Sequence, residues 1–189
     1  MTLSLKDEAA IVGIGETKYG RGEGSGVRPL KLILTAAVTD IRDAGLAPNE
    51  ADGFMTPMMG VSAEDFAANL GVENLRYATQ VNMGGASSVA SMQSAAMAVA
   101  SGIADYVVVP NGWNGYSGMR AREIGNEGGG DFPMGATLGN YYVPFGVNAP
   151  PQFYSIMARR HMHVYDWPQE ALGNIAVAMR KHAQLNEKA

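Results

Sequence analysis

No charged residue occurs between Arg76 and Asp105. That gap constrains the fold of this 189-residue chain more than any other feature. A surface helix of a soluble protein keeps a charged face, so a stretch this long without charge has to be sheltered from water. It exceeds the length a membrane span needs, but its content argues for a protein core instead. Gln80, Asn82, Gln93 and several serines are polar, and Gly84-Gly85 breaks the run. Arg76 to Asn82 reads as a strand, the two glycines as a turn, and Ser87 or Ser88 as the cap of a helix that ends near Ser101-Gly102. Asp105 to Pro110 follows as a β-branched strand. The helix between them is small or apolar on all sides, which predicts burial between two layers.

The flanking segments extend this alternation. Ala9 to Gly15 is an apolar run ending in glycines and is expected to be a buried parallel strand. Pro29 opens a helix whose face is Leu30, Ile33, Leu34, Ala37, Val38 and Ile41, and Gly45 closes it. Ala51 to Pro57 is a further short strand. Ser62 to Leu70 is a short helix, with Ser62 as its cap and Asp65 three residues on. The order β-α-β-α-β-α-β predicts an α/β fold, a parallel-rich sheet with helices on its faces. Residues 1–112 form this core. From Asn111 onward the chain turns glycine-rich and irregular, so 113–189 is expected to hold a loop domain and connecting helices. One helix follows Pro150-Pro151. Another is expected to start at Asp166, with Gln169 completing a capping box.

Composition excludes several functions. There is no cysteine, so disulfides, cysteine-ligated metals and thiolate nucleophiles are ruled out. The net charge is −4 and the basic residues are scattered, which argues against a nucleic-acid partner. Met1 to Glu8 is polar, without an apolar signal core, so no membrane association is expected and the cytoplasm is the expected compartment. His161 and His163 lie two apart and point to different faces of a helix, so no metal site is expected. Gly13-x-Gly15 is followed by Lys18 where a dinucleotide fingerprint needs glycine, and it reads as a tight strand exit.

The informative site is Asn82 to Ser88. A strand passes through glycines straight into a helix, and free backbone N–H groups at such a start stabilise an anion or a developing oxyanion. Ser87 and Ser88 either cap the helix or act as nucleophiles. Asn82, Met83 and Gly84 are candidate substrate contacts. The segment Asp131 to Gly146 joins aromatics with Pro and Gly. It either lines an acyl or steroid pocket, through Tyr142 and Phe145, or packs a loop onto the domain.

Three segments resemble the thiolase superfamily, in particular its lipid-transfer or sterol-carrier-protein type. They are Ala9-Ala10-Ile11-Val12-Gly13-Ile14-Gly15-Glu16-Thr17; Val81-Asn82-Met83-Gly84-Gly85-Ala86-Ser87-Ser88 with its Ala-rich helix and Ala104-Asp105-Tyr106-Val107-Val108-Val109; and Ala178-x-Arg180-Lys181-His182-Ala183-x-Leu185-Asn186. The resemblance implies half of a five-layered αβαβα fold with the uncharged helix buried, a homodimer, and a CoA thioester as substrate with no separate cofactor. It also implies that this is the N-terminal half, with the C-terminal half absent. The family's nucleophilic cysteine matches Gly85, so acyl-cysteine chemistry is lost. Cysteine-free members of this type include aldolases of steroid side-chain degradation that work with a zinc-containing OB-fold partner. The implied function is retro-aldol C–C cleavage of an acyl-CoA. An acyltransferase using Ser87 or Ser88, and a non-catalytic acyl-CoA or lipid carrier, remain as alternatives.

Overall fold

The computed structural model describes residues 6–18, 27–56, 61–112, 135–147 and 149–187. It divides into two compact units, residues 1–124 and 125–189.

In the first unit three short strands form a parallel sheet. Strand β1 (Gly53–Met55) lies at the centre, between β2 (Tyr77–Thr79) and β3 (Val107–Val108). Phe54 is in register with Ala78 on one side and Val108 on the other. All described strand pairs are parallel. Helices α1 (Pro29–Asp43), α2 (Ala63–Leu70) and α3 (Ser87–Ala100) connect and flank the strands. Pro29 opens α1, and Ile33, Ala37 and Ile41 are its buried stripe, spaced as the sequence predicts. The Ser62 hydroxyl accepts from the Asp65 N–H at 3.2 Å, and the Asp65 carboxylate accepts from the Ser62 N–H at 2.9 Å. This reciprocal pair satisfies two donors that a helix start leaves open.

The core forms where α1 and α2 meet the sheet. Phe54 and Phe66 are fully buried and stack with ring centroids 5.4 Å apart. Ile33, Ile41, Leu70 and Val108 pack with them. At the N-terminal edge of the strands the Asp52 carboxylate accepts from the Asp105 and Tyr106 N–H groups at 3.0 and 2.8 Å. The Arg76 guanidinium bridges Asp52 (3.1 Å), Asp105 (2.7 Å) and the Gly102 carbonyl (2.8 Å). This network joins the entrances of all three strands.

Two elements of this unit pack differently from what the sequence predicts. Ala9 to Gly15 is not a buried strand. Ile11, Val12 and Ile14 are 69%, 60% and 76% exposed, and the segment pairs with none of the described strands. It lies instead along α1. The Ile14 N–H donates to the Asp43 carboxylate at 3.0 Å, and a Cβ at Gly13 or Gly15 would collide with the α1 backbone at Asp40 and Ala36. Its glycines serve close approach to a helix. Helix α3 is buried on one face only. Ser91, Ala95 and Ala98 are covered, while Val89, Met92 and Met97 are 73%, 45% and 49% exposed. Only one sheet is present among the described residues, and one sheet covers one helix face.

The second unit contains α4 (Gly135–Tyr141), a 3₁₀ turn at Val143–Phe145, α5 (Pro150–Tyr165) and α6 (Ala171–Ala183). Part of the segment read as a loop is therefore helical. The Gln152 side chain accepts from the Ala149 N–H at 2.9 Å and caps α5. Asp166 does not start the last helix. It has a left-handed backbone, φ 49°, and ends α5, and α6 begins five residues beyond it, at Ala171. Asp tolerates that conformation better than most residues, so the same side chain type serves either end of a helix.

Candidate active site

Parallel α/β sheets place ligands beyond the C-terminal ends of their strands. Here that end is where β2 runs into the Gly84–Ala86 3₁₀ turn and then α3. The turn depends on Gly84, whose φ of +58° is disfavoured for any side chain. Gly85 is a glycine of another kind. Its φ is not positive, and a Cβ built on it meets nothing within 4 Å. The position that by resemblance would carry a cysteine is thus open space beside the turn. Among the described residues the N–H groups of Gly84 and Gly85 meet no acceptor.

The two serines differ sharply. Neither caps α3, contrary to expectation, because the cap position is Ala86. The Ser87 hydroxyl turns back on the loop, accepting from the Met83 N–H at 2.9 Å and donating to the Gly84 carbonyl at 2.7 Å. Its proton is committed to holding the turn. Ser88 is exposed, and its oxygen accepts from the Asn111 side-chain amide at 2.8 Å. Asn111 follows β3, so β2 and β3 both deliver residues to this point. No imidazole or carboxylate is bonded to Ser88 among the described residues. Asn82 and Met83 are exposed beside the turn.

Tyr142 and Phe145 belong to the second unit. Tyr142 is half-buried and meets Phe153 edge-on with centroids 5.1 Å apart, whereas Phe145 is 82% exposed. His161 packs on Tyr165 and Trp167. A groove of about 800 Å³ is lined by Arg159, Arg160, His163 and Trp167, among others. No helix among the described residues is long and apolar enough to cross a membrane. Sequence reasoning missed Asn111 as a site residue. Its partner is 23 positions away, and such a pairing leaves no local pattern.

No family model matches the chain. Sequence comparison finds a steroid side-chain-cleaving aldolase of Thermomonospora curvata, 40% identical over 98% of this chain and 47% of the relative. It also finds a 17-hydroxy-3-oxo-4-pregnene-20-carboxyl-CoA lyase of Mycobacterium tuberculosis, 35% identical over 98% of this chain and 48% of that protein. An acetyl-CoA acetyltransferase of Methanocaldococcus jannaschii is 27% identical over 96% of this chain and 45% of the relative. Among solved structures, the Ltp2-ChsH2(DUF35) aldolase superposes with a TM-score of 0.83 at 37% identity, over 98% of this chain and 46% of that one. The fold is thiolase-like. The chain spans just under half the length of these relatives. The Gly84–Ser88 turn lies between β2 and α3, with Gly85 as an open position.

Proposed function

We propose that the chain is part of a cysteine-free, lipid-transfer-type thiolase-like enzyme that cleaves a C–C bond in a β-hydroxyacyl-CoA by a retro-aldol reaction. The observation that carries this reading is the open, nucleophile-free position at Gly85 beside backbone donors that meet no acceptor among the described residues. The names of the aldolase and CoA-lyase relatives support it. In such a reaction a base takes the proton of the β-hydroxyl. The Cα–Cβ bond breaks, Cβ becomes a ketone, and the electron pair passes to the thioester as an enolate. An acid then protonates Cα. What the enzyme must supply is charge stabilisation at the thioester oxygen, and preorganised N–H groups do this well in a site that excludes water. The turn at Asn82 to Ser88 is suited to that part of the task.

The acid and base would come from the remainder of a longer chain or from a partner. We further propose a homodimer, a zinc-containing OB-fold partner subunit, and no cofactor beyond the CoA thioester as substrate. The two-part name of the structural relative supports a partner. Tyr142 and Phe145 are proposed to contact the acyl group.

An acyltransferase using Ser87 or Ser88 fits less well. Ser87 spends its proton on Gly84, and Ser88 has no bonded base among the described residues. The test is to incubate the complete enzyme with a β-hydroxyacyl-CoA and follow products together with intact protein mass. A ketone and a shortened acyl-CoA, with no acylated protein, are expected. An acyl adduct that forms and decays as fast as turnover would overturn the reading.

A further inference from the structure

The hydrogen bond between Asn111 and Ser88 fixes the direction in which Ser88 can act. An amide nitrogen only donates, so at 2.8 Å it occupies a lone pair of the Ser88 oxygen. The hydroxyl proton is then left for another acceptor. No described residue provides one for Ser88, and Ser88 is exposed in the first turn of α3, three residues after the open Gly85 position. Among the described residues no base is placed to remove the Ser88 proton, and one lone pair is already engaged, which disfavours a nucleophilic role. The hydroxyl is a good donor, because its rotor is pinned by its neighbour. Ser87 makes a different use of the same group, accepting from the Met83 N–H and donating to the Gly84 carbonyl.

We propose that Asn111 is a positioning residue that holds the Ser88 hydroxyl as a hydrogen-bond donor to the thioester oxygen of the substrate. The inference rests on the retro-aldol reading and adds to it a side-chain donor beside the backbone ones. A donor aimed at an oxygen that gains charge in the reaction matters more in the transition state than in the bound substrate. Its loss therefore lowers kcat more than it raises KM.

The experiment compares kcat and KM of the complete enzyme carrying Ser88→Ala, Ser88→Thr, Asn111→Ala or Asn111→Asp, with thermal unfolding of each. Loss of one such donor costs on the order of 10²-fold in kcat. Ser88→Ala is expected to show a loss of that order with KM little changed, and Ser88→Thr, which keeps a hydroxyl, to recover most of it. Asn111→Asp is the sharpest arm. A carboxylate accepts where the amide donated, so it captures the Ser88 proton, and kcat should fall further than in Asn111→Ala at equal unfolding temperature. If wild-type enzyme cleaves no β-hydroxyacyl-CoA, the retro-aldol reading itself fails. If wild type cleaves and either Ser88→Ala or Asn111→Asp retains full kcat, the role of the pair is overturned while the reaction stands. Equal losses of kcat and unfolding temperature across all four variants would also overturn it, since they would mark a purely structural contact.

Discussion

The two units of the chain use apolar residues in opposite ways. In the first, Ile33, Phe54, Met55 and Phe66 are almost entirely removed from water. In the second, no described side chain of α5 or α6 is buried, and Ile175, Val177, Met179 and Leu185 are 59%, 70%, 62% and 85% exposed. Composition does not explain this, since both carry amphipathic helices. What differs is the sheet. A parallel sheet offers a flat apolar surface on which helices can lay their stripes. Among the described residues of the second unit there is no sheet, and its helices leave their stripes uncovered. The described helices of the second unit therefore present apolar side chains to solvent that the first unit would bury.

The largest effect should come from attacking that contrast directly. Phe54→Ala removes a ring that is fully buried and stacked on Phe66. It should cost about 3–5 kcal/mol in urea unfolding. Ile175→Ala, on the exposed stripe of α6, should change the stability of the chain by less than about 0.5 kcal/mol. A large effect at Ile175 would mean that the stripe is covered in solution, and the contrast between the units would collapse. Next in size is Asp52→Ala. It strands the Asp105 and Tyr106 N–H groups and takes a partner from Arg76. Arg76 is about one-third exposed, so solvent screening reduces the ionic share. The expected loss is about 2–3 kcal/mol, mostly from the unpaired backbone donors. A loss below about 0.5 kcal/mol would show that the strand entrances hold together without the network.

Much of the first unit was legible in the sequence, because its signals are local. Pro29 and the Ile33-Ala37-Ile41 spacing define α1, and Ser62 with Asp65 defines the start of α2. The strands at Gly53, Tyr77 and Val107 fall inside the predicted runs. Legibility ends where the partner decides. Ala9 to Gly15 has the composition of a strand, but a strand exists only with a ladder neighbour, and the segment lies on α1 instead. Helix α3 has no charged face, and its one-sided burial depends on how many sheets flank it. At the site, the Gly84–Ser88 turn was readable from residue types alone. The division of labour between Ser87 and Ser88 was not, since it depends on hydroxyl orientation and on Asn111 arriving from another strand.

Within the first unit the two adjacent glycines of the turn give a smaller and more selective test. Gly84→Ala forces a Cβ into a left-handed conformation and should cost about 1–2 kcal/mol. Gly85→Ala meets no neighbour and has no positive φ. It should be neutral or stabilise by up to about 1 kcal/mol through the unfolded chain. Gly85→Cys should likewise fold, and thiol labelling should find its sulfur accessible. Unfolding of either Gly85 variant at markedly lower urea than wild type would show that the position is filled rather than open.

The smallest effect tests a flaw inside the better-packed unit. Asp40 lies half-buried near the end of α1, and its pKa is raised, chiefly by loss of solvation and further by the Asp43 carboxylate. A helix C-terminus disfavours negative charge as well. The sign follows from proton binding. Between the unfolded and folded pKa values the native state holds the Asp40 proton more often than the unfolded chain does. Asp40 therefore favours folding below its unfolded pKa, and that contribution is lost as pH rises through the raised folded value. Asn has the shape of the protonated acid and never ionises. Asp40→Asn should raise stability at neutral pH, and the gain should vanish in acid, below the ordinary carboxylate range. Urea unfolding of both proteins across that range measures the difference. A gain that stays constant with pH would locate the benefit in packing against Gly13 rather than in removal of a poorly solvated charge. A loss at neutral pH would mean that the carboxylate has a partner worth more than its burial costs.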